Sequence, residues 1–398
     1  MVEIKDLPPP PANLSGWPWT VGTPPITSFS GRACPRISLV TPSYNQAAYI
    51  EETIRSVLLQ GYPNLQYVVI DGGSSDGTPG ILEKYSPWLD FWVSERDRGQ
   101  SDAINKGLKR CDGAWFNWLN SDDYLLPGAL GSLAAEASAT NKPIVSGITR
   151  NVGIAQGSVE YSAQVGETWP NLLFHLGVNQ PGSLLRLEKV REVGSVRDDL
   201  SLCMDLELWI RLALAHGPDP VAQVAFPVAA YRYHSESKTC SGDDVFSLEE
   251  FRVLTGLAID LDKAPAAFPW QVERLLPPKR ETPYATAIPF DGKEIERAYF
   301  DRMLVSDSLL FRALLRGCKQ ADSPQSRFLG ALEELRPTLG RLYSPRGAAR
   351  VESRALVHAL QNLGRIDIRM VLRTLRLDQS PRTMLDLARL ATRSISRP

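Results

Sequence analysis

A mostly parallel α/β sheet covered by helices, continued by a helical C-terminal region, is the fold class this sequence predicts. Three observations carry it. Short apolar, β-rich runs alternate with helix-patterned segments from residue 36 to about residue 150. Each strand-like run ends in polar or turn residues, the place where ligands bind in sheets of this kind. Beyond about residue 246 the patterning becomes helical, with proline breaks at 265–278.

The elements follow in order. Residues 1–35 hold Pro8 to Pro11 and the stretch "GWPWTVGTPP", an extended, partly polyproline-like leader whose Trp17 and Trp19 are expected to dock on the domain. "RISLVTPSYN" is the first strand and its terminal turn. "AAYIEETIRSVLLQ" has helical spacing at Ile50, Ile54, Val57 and Leu58. "LQYVVIDGGSSDGT" repeats the strand-then-turn form, and Thr78-Pro79 reads as an N-cap with proline at the first helical position. "DFWVSE" is a third strand, "QSDAINKGLKR" a helix, and "GAWFNWLNSDD" a fourth strand. Residues 151–245 are less regular, but "MDLELWIRLALAHG" is a helix closing on Gly217, and "VAFPVAAYRYH" is a strand. The expected divisions are therefore a leader at 1–35, an α/β domain at 36–245 and a helical region at 246–398.

Bulk properties narrow the function. The chain has 398 residues and a net charge of −1, which gives no case for a nucleic-acid partner. Cys34, Cys111, Cys203, Cys240 and Cys318 are scattered singly, which disfavours a disulfide framework and favours a reducing compartment. There is no run of about 18 apolar residues and no apolar signal core at the start, so a cytoplasmic location is expected. From Arg336 onward, thirteen arginines face four acidic residues, an excess of nine positive charges. Either peripheral contact with the inner face of a membrane or self-association through this region would use that charge.

The polar strand ends carry the chemistry. In "VVIDGG", Asp71 can accept hydrogen bonds from a ribose or base edge; equally, it can satisfy turn amides. No G-x-G-x-x-G follows the first strand, so the dinucleotide reading is weak. "NSDD" places Asp122 and Asp123 side by side at the mouth of a buried strand. That arrangement suits a divalent cation such as Mn2+ or Mg2+; an Asx-type turn with a helix cap is the plain alternative. Asp97, Arg98, Asp102 and Lys106 sit around a helix start, where solvation alone would satisfy them. Asp205 and Glu207 open a helix, where the dipole favours anions. Arg232, His234, Ser237 and Lys238 follow a strand and suit a phosphate ligand.

The ordered series "VTPSYNQAAYIEETIRSVLLQ", "VVIDGGSSDGT", "SERDRGQSDAINKG", "WLNSDD", "CMDLELWIRL" and "YRYHSESKT" resembles the family 2 inverting glycosyltransferases of GT-A fold, over roughly residues 36–240. The resemblance implies a nucleoside-diphosphate sugar donor and a glycan or lipid-linked acceptor, in polysaccharide or glycolipid assembly. It places Pro42, Tyr44 and Asn45 beside the nucleotide, Asp71 on the nucleoside, and Asp102 by the nucleotide or donor sugar. Asp122 and Asp123 fall in the family's D-x-D region, whose first position here is Ser121. That departure leaves Asp123 as the direct metal ligand and Asp122 as a donor-sugar or ribose contact. Asp205 matches the catalytic base, with Met204 replacing the preceding acid, and Arg232, His234 and Lys238 match the segment near the diphosphate. The rival readings are a catalytically silent sugar-nucleotide or glycan-binding module, and a nucleotidyltransferase. The latter would more naturally carry a glycine- and lysine-rich phosphate loop where this chain has "TPSYNQ".

Overall fold

The computed structural model describes residues 1–27, 33–153, 159–161, 177–234, 237–238, 243–260, 318, 323–362, 368–378, 383 and 387. The proline breaks at 265–278, Cys240 and the arginines at 365, 382, 389, 393 and 397 lie outside the described residues. The chain divides into two compact units, one built on Met1–Ser241 and the other on residues from Gly242 onward.

The first unit is organised by a nine-stranded sheet among the described residues. Its parallel half holds β1 (Ile37–Ser43), β2 (Leu65–Asp71), β3 (Phe91–Ser94) and β4 (Trp115–Trp118), in the order β3-β2-β1-β4. β1 and β4 are buried along their whole length. Their apolar character is therefore continuous rather than alternating, as expected for strands covered on both faces. Pairing aligns Ser43 with Asp71 and Asp71 with Ser94, so three polar side chains finish in one row at the carboxyl edge.

Helices α1 (Ile50–Leu58), α2 (Thr78–Tyr85) and α3 (Gln100–Leu108) connect these strands. α3 lies flush on β1 because residue 107 is glycine; a Cβ there would come within 2.4 Å of Val40 Cγ1. Thr78 is the first helical residue of α2 rather than its cap. Gly77 is the N-cap, and Asp76 before it accepts the Thr78 amide at 3.0 Å and the Ala47 amide at 2.9 Å.

The sheet then continues with β5 (Tyr124–Leu125), β6 (Ile144–Gly153), β7 (Val159–Tyr161), β8 (Ser183–Arg186) and β9 (Val221–Tyr233). β8 is antiparallel to β4 and β6, β9 is parallel to β6, and β5 is antiparallel to β9. Pro227 of β9 sits where the β6–β9 register shifts, a place where a missing N–H breaks no regular ladder bond. Helices α4 (Ala129–Ala139), α5 (Leu187–Val193) and α6 (Met204–His216) complete this unit. The second unit is helical where described: α7 (Asp243–Asp260), α8 (Pro324–Leu342), α9 (Pro345–Asn362) and α10 (Ile368–Leu377). Among the described residues, no helix is long and apolar enough to cross a membrane.

Candidate active site

The carboxyl ends of the parallel strands gather two groups of polar residues. The first surrounds the turn after β2. Asp71 is fully buried and accepts the Ser74 amide at 2.9 Å, the Ser74 hydroxyl at 2.5 Å and the Ser94 hydroxyl at 2.6 Å. These bonds hold the turn after β2. Asn45, at φ 52°, donates its amide to Ser74 Oγ at 2.7 Å and accepts the Ser75 amide at 2.9 Å. Pro42 is buried at the end of β1, while the Tyr44 ring is 62% exposed. Asp97 packs against the backbone of Gly72, where a Cβ would approach its Oδ2 to 2.7 Å. Asp102 is held by Arg98 at 3.0 Å, and that guanidinium keeps its carboxyl below the usual range.

The second group is the acidic loop between β4 and β5. Asp122 and Asp123 have opposite environments. Asp122 Oδ2 lies 3.0 Å from Nε2 of His234. Asp123 is 1% exposed, and its Oδ1 accepts the Arg232 amide at 2.9 Å. Burial, and after it the neighbouring Asp122 charge, push the Asp123 carboxyl well above the usual range. The side chain of Asp123, expected as the direct metal ligand, is enclosed, and one of its oxygens serves the β9 backbone. Its other oxygen is buried with no hydrogen-bond partner in the structure.

Arg232, expected near a diphosphate, is held within the protein by the acidic loop and α1. Its guanidinium donates to Glu52 at 2.8 Å and to the Asp122 carbonyl at 2.5 Å, and it stacks near the rings of Tyr49 and Tyr124. A cation with these partners braces the acidic loop. His234 in turn lies against Tyr49, with ring centroids 4.8 Å apart. Lys238, by contrast, is exposed; it donates to Gln100 at 2.7 Å and to the Ser201 carbonyl at 2.9 Å. Gln100 also donates to Asn120 at 2.6 Å. This chain of contacts ties the acidic loop to the segment that leads into α6.

Asp205 stands in the first turn of α6, partly exposed, with one oxygen accepting the Leu206 amide at 2.8 Å. Glu207 is completely buried and pairs with Arg211 at 2.7 Å. Arg211 further donates to the carbonyls of Val193, Gly194 and Ser195. The Glu207–Arg211 pair thus fixes the loop before α6, leaving Asp205 as the acid of this turn that reaches solvent.

Sequence reasoning missed Tyr49, Glu52, Thr53 and Gln100. The signal for Thr53 was present as a second stripe on α1. Thr53, Ser56 and Gln60 recur at helical spacing beside the apolar positions, and all three are buried. Thr53 donates to the carbonyls of Ser121 and Asp123, Ser56 accepts the Leu125 amide, and Gln60 donates to the Leu126 carbonyl. One polar face of α1 therefore holds the backbone of the acidic loop from 121 to 126.

Among the described residues, no cluster of three or more His, Cys, Asp or Glu forms a closed metal cage. The Asp122 carboxylate and the His234 imidazole are the two donors that face one another. They suit a cation that takes few protein ligands and completes its shell with phosphate oxygens and water.

A mostly parallel sheet with an acidic loop at its carboxyl edge is the architecture of a GT-A-type fold. Residues 38–186 match the model of the Glycosyl transferase family 2 domain, and the chain carries a family 2 glycosyltransferase domain. The chain is 27% identical over 220 residues to an uncharacterised glycosyltransferase of Mycobacterium tuberculosis, covering 53% of this chain and 82% of that one. It is 40% identical over 93 residues to TuaG, a Bacillus subtilis glycosyltransferase named for teichuronic acid biosynthesis, covering 22% of this chain and 36% of TuaG. Among solved structures, S. aureus TarS 1-349 in complex with UDP-GlcNAc superimposes with a TM-score of 0.52 at 16% identity, covering 87% of this chain and 91% of that one. The family match ends at residue 186, so Asp205, Arg232, His234 and Lys238 lie beyond it.

Proposed function

We propose that the chain transfers a sugar from a nucleoside-diphosphate sugar to a hydroxyl acceptor, with inversion at the anomeric carbon. The observation that carries this reading is the Asp122–His234 pair, tied through Asn120, Gln100 and Lys238 to the segment preceding Asp205. Asp205 is the general base that takes the proton of the attacking hydroxyl. Its partly exposed position and the buried commitment of Glu207 support that division of roles. Asp122 and His234 would hold Mn2+ or Mg2+; when bound, the cation stabilises charge on the departing diphosphate. Asp123 and Arg232 fix the loop that presents Asp122. Lys238 is placed to meet a phosphate, and Asp102 to meet the nucleotide or donor sugar. The exposed Tyr44 ring, beside Asn45 and the Asp71 turn, offers a stacking face for the base.

The relative named for teichuronic acid biosynthesis supports a role in polysaccharide or glycolipid assembly, with a glycan or lipid-linked acceptor. The cationic face of α9 supports peripheral contact with an anionic membrane. Arg346, Arg350 and Arg354 are exposed along one stripe, while Glu352 lies buried on the opposite face. The test is turnover: nucleoside diphosphate release from a donor panel, with acceptor and Mn2+ present, and its loss in Asp205→Asn.

A further inference from the structure

The residues that precede the family match form a strap along the segment that follows the acidic pair. Trp17 donates its indole N–H to the Leu125 carbonyl at 2.8 Å. The Thr23 hydroxyl accepts the Gly128 amide at 3.2 Å. Ile26 lies under Gly131, where a Cβ would fall 2.5 Å from Ile26 Cδ1. Residues 17, 23 and 26 thus meet residues 125, 128 and 131 in the same order. The strap is anchored on α1 by Arg55, which is fully buried. The Arg55 guanidinium donates to the carbonyls of Pro8, Pro18 and Trp19 and to the Tyr85 hydroxyl, with the Trp19 ring 5.4 Å from it.

Leu125 is the meeting point. Its amide donates to Ser56 on α1 and its carbonyl accepts from Trp17 on the strap. Both backbone polar groups of Leu125, two residues after Asp123, are therefore held by side chains from outside the sheet.

We propose that Trp17 is a positioning residue, and that the N-terminal strap, held by Arg55, clamps residues 125–131 so that Asp122 is presented in a fixed orientation. The consequence for chemistry rests on the function proposed above; the clamp itself does not. Deleting the strap would strand the Arg55 cation without its carbonyl partners, so a truncated chain is expected to unfold.

Trp17→Phe separates clamping from folding, because it keeps the aromatic packing and removes only the donor. Amide hydrogen exchange on the full chain reads the clamp directly. Loss of this half-buried hydrogen bond should speed exchange at Asp123, Leu125 and Leu126 by about three- to tenfold, with β1 and β2 unchanged. Affinity for Mn2+ alone, followed by the signal of the free ion, should weaken by a similar factor while the melting temperature shifts little. Unchanged exchange across 123–126, or acceleration spread evenly over the whole sheet, overturns the clamp. A wild-type chain that binds no Mn2+ contradicts the function proposed above, and the exchange result still decides the clamp.

Discussion

Asp122 and Asp123 are adjacent in sequence, yet burial gives them different chemistry. Asp123 carries the cost of enclosure and returns a backbone contact to Arg232. Asp122 keeps its carboxylate facing an imidazole. Asp122→Asn should therefore abolish the Mn2+ dependence of nucleotide binding. Asp123→Asn should mainly disturb the loop, with a loss of stability of about 1–2 kcal/mol; titration calorimetry of both variants, with and without Mn2+, separates them. Asp205→Asn should retain donor affinity and lose about two to four orders of magnitude in turnover, since general-base contributions are of that size. A collapse of donor affinity with turnover intact would make Asp205 a binding residue. The sequence showed that an acidic pair stands at a strand end. It did not show which acid turns inward, because that depends on the β9 backbone meeting β5 more than a hundred residues later. The same long-range pairing brings Arg232 to Glu52 and Asp122, partners too distant in sequence to be read from its own segment.

At the scale of elements, α1 and α6 each combine an apolar face with a polar device. On α1, Thr53, Ser56 and Gln60 bond the acidic loop. On α6, Glu207 and Arg211 bond each other and the 193–195 carbonyls. Arg211→Met leaves Glu207 as an unpaired buried charge and should cost about 3–5 kcal/mol. Chemical denaturation measures this, and the Glu207→Gln/Arg211→Met double variant should recover much of the loss. If the single and double variants are equally destabilised, the pair is not coupled. β1 to β4 were legible because doubly covered strands are short apolar runs with turn residues after them. β5, at two residues, carries too little pattern, and β8 lies in the less regular stretch after residue 150 without the strand–helix alternation that marks β1 to β4. They are defined by antiparallel partners rather than by their own composition.

Across the whole molecule, charge is segregated. The excess of nine positive charges after residue 335 leaves an excess of ten negative charges on the rest of the chain, given the net −1. Within the described part of that tail, Arg336 and Arg373 pair with Glu333 and Glu352. The exposed Arg346, Arg350 and Arg354 remain on the outer face of α9. Replacing all three by Gln should weaken binding to anionic vesicles by about 1 kcal/mol per charge and leave the melting temperature unchanged. Co-sedimentation at low and high salt checks this, and equal binding to neutral vesicles would contradict it. The central claim is that the carboxyl edge of the sheet binds a nucleoside-diphosphate sugar through a cation on Asp122 and His234. The most direct measurement is a thermal-shift screen of nucleotide sugars with Mn2+, repeated with chelator and with Asp122→Asn. The account predicts that at least one donor raises the melting temperature of the wild-type chain only when Mn2+ is present, and has no such effect on the variant. Stabilisation that is identical with and without metal, or that survives in Asp122→Asn, would contradict it.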